Sequence, residues 1–411
     1  MKIRLIVLAI LLLISLGLLL GVHAQWLSRG PKDARFMRFL RRHGQRNAQE
    51  VIPPHGRALD RHGHPLDVAE EGSVFQRVLD ARALEDSKGE VRLSIEGELQ
   101  MTAESLMKGK TGAVVVLEPT TGRLRALVST PRLNYLNRAL DGLYPPGSTF
   151  KVFMAAAALS DGIDPVYNCP AAGYRSAPST PAIRDVEARQ AARKGRTWKG
   201  FGKIGMGEAM MHSSNVYFAQ LGVALGPQVF SRAVERARLR DAVTVLPSED
   251  VDLSAAACGV PDGLRASQLA PVAIGQGALQ LTPLAVAMIT AAVADDGLIL
   301  EPTLLETSKP SLRAQAFDMP AMARVRTMMR SVVRSGTGRA CEIPGLEVCG
   351  KTGTAETGHG RDHAWFTCFA PLKNPRLVVT VLVEHGGFGA EAALPVARGV
   401  LVKARELGYF E

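Results

Sequence analysis

Ser148-Thr-Phe-Lys151 stands directly behind Tyr144-Pro-Pro-Gly147 and ahead of the apolar run Val152 to Leu159. The order of residues puts a serine at the start of a helix with a lysine three residues on. Positions i and i+3 share a helical face, so the amine can sit within hydrogen-bond reach of the hydroxyl. A serine at neutral pH is a weak nucleophile until a base takes its proton, and a lysine at that spacing is a candidate base. The spacing alone does not single this pair out, because Ser105 and Lys108 repeat it in Thr102 to Lys110. Context separates the two: only Ser148 follows a Pro-Pro-Gly turn and leads an apolar helix.

The elements that position such a pair come from a chain of 411 residues, long enough for one large domain with additions or for two ordinary domains. The 46% hydrophobic content and 40 glycines fit a folded globular chain. The net charge of +10 is unevenly spread. Met1 to His62 holds eleven Lys and Arg against three acids, a net of +8, which leaves +2 for the rest. No nucleic-acid partner is expected.

Leu5 to Val22 is an uncharged, Leu- and Ile-rich stretch behind Lys2 and Arg4. Its 18 residues approach the ~20 that span a bilayer. A signal peptide ending at Val22-His-Ala24 is the alternative, but its apolar core would be shorter, so the stretch reads as an uncleaved single-pass anchor. Seven basic residues from Arg29 to Arg46 follow the span, and the positive-inside rule taken alone places the main domain inside the cell. A basic start to a first span acts as an export signal, and the chemistry below belongs outside the cytoplasm, so the periplasmic or extracellular side is expected. Ala34 to Gln45 is basic and amphipathic, either a membrane-surface segment or a solvated stalk. Val51 to Gly89 reads as a linker or a very small module.

Regular patterns begin near Val91. Leu93 to Leu106 reads as a short strand and a helix. Ala113 to Leu117 and Leu124 to Val128 read as strands joined by a Glu-Pro-Thr-Thr-Gly turn. An alanine-rich helical region extends to about Asp296. Strand patterns return at Leu346 to Val348, Ala364 to Phe369 and Leu377 to Glu384, before a helix at Leu394 to Leu407. Strands at both ends around a helical middle imply an α/β chain of α+β type: one antiparallel sheet built from distant segments, flanked by helices, with an all-helical subregion. The expected division is 1–24 anchor, 25–91 basic juxtamembrane segment and 92–411 main domain. The five cysteines form no CxxC and no Cys/His cluster, so no metal and no cofactor is expected. Cys341 and Cys349 flank a turn and are either a disulfide across a hairpin or two buried thiols; Cys169 with Cys258 is a second candidate pair.

Two further motifs follow Ser148-Thr-Phe-Lys151 in order: Ser213-Ser-Asn215 and Lys351-Thr-Gly-Thr354. A second Lys-Thr-Gly at Lys110 to Gly112 adjoins the decoy Ser105 with no room for a middle motif between them. The ordered set matches the signature of penicillin-recognising serine enzymes. With Val115 to Gly122, Asn137-Arg-Ala139, Gly275 to Pro283 and His363-Ala-Trp-Phe366, the chain from about residue 92 resembles class B penicillin-binding proteins, the monofunctional peptidoglycan transpeptidases. His55 to Gly63 resembles the segment that opens the family's extracellular part.

The resemblance implies a penicillin-binding protein/β-lactamase-like fold and assigns roles. Ser148 is the acylated nucleophile and Lys151 its base. Ser213 relays protons, and Asn215 orients Lys151 and the donor peptide. Lys351 holds a fixed positive charge that steers a carboxylate and depresses Lys151, while Thr352 and Thr354 bind that carboxylate. Gly353 admits the substrate, and the N–H groups of Ser148 and Thr354 form an oxyanion hole. His363 and Trp365 read as structural. Cys368 stands where the family more often has glycine, which implies local repacking. The implied reaction joins stem peptides through a Ser148 acyl-enzyme that β-lactams would trap. Its implied partners are peptidoglycan stem peptides, β-lactams, the membrane and a polytopic membrane glycosyltransferase. Three rivals use the same residues. Water as acceptor gives a D,D-carboxypeptidase or a serine β-lactamase, although no glutamate stands in a recognisable deacylation motif. A non-catalytic β-lactam sensor or scaffold is the third. About 70 residues separate anchor and catalytic domain, fewer than the family's usual module, which implies an accessory or specialised enzyme.

Overall fold

A computed structural model describes residues 57–66, 90–131, 136–247, 253–358 and 360–411 of the chain. The expected anchor at Leu5 to Val22 and the basic segment Ala34 to Gln45 lie outside the described residues. Among the described residues no helix is long and apolar enough to cross a membrane. These residues fall in one unit, His55–Glu411. Its sheet has five antiparallel strands: β1 (Gly112–Leu117), β2 (Leu124–Thr130), β3 (Cys349–Ala355), β4 (His363–Ala370) and β5 (Leu377–Val383), in the order β3-β4-β5-β1-β2. Every residue of β1 and β5 is buried, and both read as apolar runs, broken only by Thr380 in β5, the pattern of strands covered on both faces. Gly122, at φ +73°, closes the β1–β2 turn by donating its N–H to Glu118 O at 3.0 Å.

The sheet divides the interior into two cores. On one side Val114, Val116, Phe366 and Val381 pack against α1 (Gly97–Met107) and the C-terminal helix α8 (Leu394–Glu406). On the other, Val115, Trp365, Val378 and Leu382 join the helical region. That region contains α2 (Lys151–Ser160), α3 (Val186–Arg193), α4 (Met206–His212), α5 (Asn215–Arg236), α6 (Pro283–Ala294) and α7 (Met319–Ser335). All twelve residues of α6 are buried; Pro283 opens it and the Thr282 side chain caps it by accepting the Ala285 N–H at 3.1 Å. A buried thread of hydroxyls, Thr290 to Thr367 to Thr380 with 2.7 Å at each step, ties α6 to β4 and β5. Nine of the ten residues of α2 are buried as well, so its first residue, a lysine, is carried into the interior with the rest.

Two expectations change, and one left open is decided. Residues Leu346 to Val348 form no strand; Ile343 and Leu346 make a single bridge, and the strand runs from Cys349 to Ala355. The described part of the segment expected as a linker is built into this unit: Arg57–Leu59 pairs in parallel with Glu90–Arg92, and Ala58 joins the core. All five cysteines are free. Cys349 belongs to the core on the helical side of the sheet and Cys341 to the core on the other side, which is why they do not pair. Cys368, fully buried, lies opposite Gly350, where a Cβ would stand 3.1 Å from that of Cys368. The missing side chain at Gly350 makes room for the thiol.

Candidate active site

The loop carrying Ser148 is held from three directions. Tyr144 exchanges both backbone hydrogen bonds with Leu281, at 3.0 and 2.9 Å. Trp365 Nε1 donates to Pro145 O at 3.0 Å, and the Gly147 N–H donates to Gly275 O at 2.9 Å. Gly147 takes φ +53°, and a Cβ on it would lie 2.6 Å from Thr354 O, so the loop backbone rests directly on β3. A 3₁₀ turn, Gly147–Phe150, follows and runs into α2, with the Lys151 N–H donating to Ser148 O. In a 3₁₀ turn residues i and i+3 eclipse, which aligns Ser148 and Lys151 on one face. Ser148 is half-buried, whereas Thr149, Phe150 and Lys151 are buried.

Lys151 Nζ donates to Ser213 O at 2.6 Å and to Asn215 Oδ1 at 2.7 Å, with Ser213 Oγ at 3.4 Å. The Phe218 ring centre lies 5.6 Å away. Among the described residues Ser148 Oγ shows no hydrogen bond to this amine: the middle motif, not the nucleophile, holds Lys151. Complete burial lowers the Lys151 pKa to about 7, while Asp185 and Glu187 pull it upward. Ser213 ends α4 in the left-handed conformation, φ 59° and ψ 37°, an unusual state for a residue other than glycine. That turn aims both its carbonyl and its hydroxyl at the lysines.

Lys351 Nζ donates to Ser213 Oγ at 2.8 Å and to Thr352 O at 2.9 Å. Burial, then the proximity of Lys151, holds its pKa well below the ordinary lysine value. Two buried amines thus share one serine hydroxyl, and burial works against the positive charge expected on Lys351. The cause of the Lys151 shift is burial first, not the neighbouring cation. Thr352 Oγ1 lies 2.7 Å from Thr337 Oγ1. A Cβ on Gly353 would stand 2.9 Å from both Thr149 Cγ2 and Trp365 Cβ, so only glycine lets β3 lie this close to the serine loop. Thr354, half-buried, lies over Gly147. The structure thus gathers Ser148, Lys151, Ser213, Asn215, Lys351, Thr352, Gly353 and Thr354 around one cleft between β3 and the helical region.

His363 and Trp365 act as supports. His363 Nδ1 accepts the His385 N–H at 3.1 Å, and its ring meets Tyr144 edge-on at 5.5 Å. Trp365 is fully buried. Glu384 Oε1 accepts from both Tyr144 OH and Arg138 Nε at 2.7 Å, binding the Asn137-Arg-Ala139 stretch to the end of β5.

One residue of the site was missed. Asp185, 1% exposed, accepts from Ser214 Oγ at 3.0 Å, from the Val216 N–H at 3.1 Å and from the Asn215 N–H. Asn215 Nδ2 donates to Arg184 O at 3.1 Å. The only signal in the sequence was indirect: the first N–H groups of α5 need an acceptor, and Ser214 alone satisfies one of them.

A buried lysine and a half-exposed serine on one helical turn, with a second lysine strand across the cleft, define a penicillin-recognising serine acyltransferase. Residues 112–401 match the family described as the penicillin binding protein transpeptidase domain. The chain belongs to the penicillin-binding protein transpeptidase family, in its class B branch. It is 29% identical over 397 residues to peptidoglycan D,D-transpeptidase PbpA of Mycolicibacterium smegmatis, covering 84% of this chain and 78% of that protein. It is also 29% identical to peptidoglycan D,D-transpeptidase MrdA of Acinetobacter baumannii, across 82% of this chain and 57% of that protein. The solved structure of penicillin-binding protein A from M. tuberculosis as a ceftriaxone acyl-enzyme complex superimposes with a TM-score of 0.67 at 28% identity, over 77% of this chain and 80% of that one.

Proposed function

We propose that the protein is a peptidoglycan D,D-transpeptidase that cross-links stem peptides through a Ser148 acyl-enzyme and is inhibited by β-lactams. The observation that carries the assignment of roles is Lys151, wholly buried with its pKa brought to about 7, so that an appreciable fraction of its amine is neutral near neutral pH. In the proposed cycle Lys151 Nζ removes the Ser148 hydroxyl proton as Oγ attacks the carbonyl of the D-Ala-D-Ala bond. The N–H groups of Ser148 and Thr354 hold the oxyanion. The C–N bond then breaks, and the departing D-alanine amine takes a proton from Lys151 by way of the Ser213 hydroxyl. The acceptor's amine attacks the acyl-enzyme, loses its proton along the same path, and the Ser148 oxygen leaves with a proton. Lys351, Thr352 and Thr354 bind the donor's terminal carboxylate, and that anion favours the charged form of Lys351. Asn215 orients Lys151 and the donor peptide, and Gly353 gives the peptide close access. No cofactor or metal takes part.

The reading predicts a pH dependence. Acylation needs Lys151 without its proton, so the rate constant with a fluorescent penicillin rises with pH through an apparent value near 7. A flat profile between about pH 5 and 9 would contradict Lys151 as the base. Mixing a pentapeptide donor with and without an amine acceptor separates cross-linking from the hydrolysis of a carboxypeptidase.

The remaining assignments extend the same proposal. Leu5 to Val22 anchors the chain as a single span in the inner membrane, the basic segment from residue 25 leads to the catalytic unit that takes in Arg57–Leu59 and Glu90–Arg92, and that unit faces the periplasmic or extracellular side. A polytopic membrane glycosyltransferase supplies the glycan strands. Recovery of the full chain from membranes in mild detergent without such an enzyme would remove that partner.

A further inference from the structure

Asp185 is deep beneath the middle motif, and none of the three motifs contains it. Its carboxylate meets the first turn of α5, accepting from the backbone of Asn215 and Val216 and from Ser214 Oγ. Ser214 Oγ in turn accepts the Tyr217 N–H at 3.1 Å, so hydroxyl and carboxylate together cap the helix. Ser213, in its left-handed turn, lies immediately before this cap, and Asn215 immediately after it. Of the two residues that hold Lys151, Asn215 is bonded to this buried carboxylate and Ser213 is tied to it through Ser214.

We propose that Asp185 is a positioning residue for acylation, holding Asn215 directly, and Ser213 through its neighbour Ser214, in the geometry that aims Lys151. The charged and titratable groups around it come from every neighbouring element. Lys151 faces it from α2 and Glu187 from α3, with His212 acting on Glu187 from the end of α4. Cys169 faces it from the strand Tyr167–Pro170, and Lys351 on β3 lies behind Lys151. Asp185 and Glu187 both raise the affinity of Lys151 for its proton, against burial. Asparagine at 185 retains an oxygen for the α5 N–H groups and loses the charge.

This inference rests on Lys151 activating Ser148, and the experiment separates the two claims. Acylation by a fluorescent penicillin is followed across pH for the full chain and for Asp185→Asn, Ser214→Ala and Ser148→Ala. Asp185→Asn lowers the plateau rate about tenfold and moves its rising limb down by about one pH unit, because the base now gives up its proton more readily. Ser214→Ala retains the charge and loosens the cap, so its plateau falls several-fold while its limb stays at the wild-type pH. A wild-type limb in folded Asp185→Asn, or a wild-type plateau in Ser214→Ala, overturns the proposal, and the second result decides even where Asp185→Asn does not fold. Labelling that persists in Ser148→Ala would instead overturn the assignment of the nucleophile.

Discussion

Replacing Lys151 by methionine lowers the rate of β-lactam acylation by on the order of 10³ to 10⁴, close to the upper range for a positioned general base. Methionine matches the length of the lysine stem and removes the amine. Ser213 O and Asn215 Oδ1 then lose their donor, at about 1–3 kcal/mol for each unsatisfied group, while the cost of desolvating the amine disappears. The net change in stability is therefore small compared with the change in rate. Lys151→Arg sharpens the test. A guanidinium keeps the charge and the hydrogen bonds but does not give up its proton near neutrality, so this variant is as slow as the methionine one. Rapid-mixing measurement of the acylation rate distinguishes the roles: an arginine variant within about tenfold of wild type would make Lys151 a positive charge and not a base.

Gly147→Ala produces the second large effect, through the backbone. The position has φ +53°, and the new Cβ would stand 2.6 Å from Thr354 O and 2.9 Å from its carbonyl carbon. Neither is the end of a flexible side chain, so the serine loop and β3 must part. Displacing Ser148 from Thr354 by ~1 Å costs about 10² in acylation. Strain and lost packing cost roughly 2–4 kcal/mol in stability. Gly345→Ala is the control: its φ is +77° but nothing lies within 4 Å of the added carbon. It should lose about 1 kcal/mol and acylate at the wild-type rate. Thermal melting and acylation measured on both variants separate backbone strain from the specific approach of loop to strand. Equal acylation by the two would show that the Gly147 contact does not set the site.

The two glycines also mark what a sequence can and cannot show. The three short motifs could be read together because they follow in order with room between them, whereas the decoy at Ser105 lacks both the Pro-Pro-Gly context and the space for a middle motif. The central strands were legible because β1 is apolar and β5 is apolar but for Thr380. The strand pattern read at Leu346 to Val348 fell short of the strand itself, Cys349–Ala355, because Gly350 and Gly353 depress strand propensity where close packing needs them. The complete burial of Lys351 beside a second amine was not legible, because burial depth is a property of the assembled helices and sheet. Asp185 escaped for a related reason: its partners, Ser214 to Val216, are some thirty residues on, and no periodicity links a cap donated from another segment. For Cys341 and Cys349 the choice between a pair and two buried thiols, open in the sequence, falls to the thiols because the sheet lies between the two cores that hold them.

The most direct test of the central claim maps the acyl group. The full chain is reacted with penicillin, digested, and the modified peptide located by fragmentation in a mass spectrometer. The expected product carries a single penicilloyl group on Ser148, within the peptide that contains Phe150 and Lys151. A penicilloyl group on Ser105, Ser213 or any other residue, with Ser148 unmodified, would contradict it.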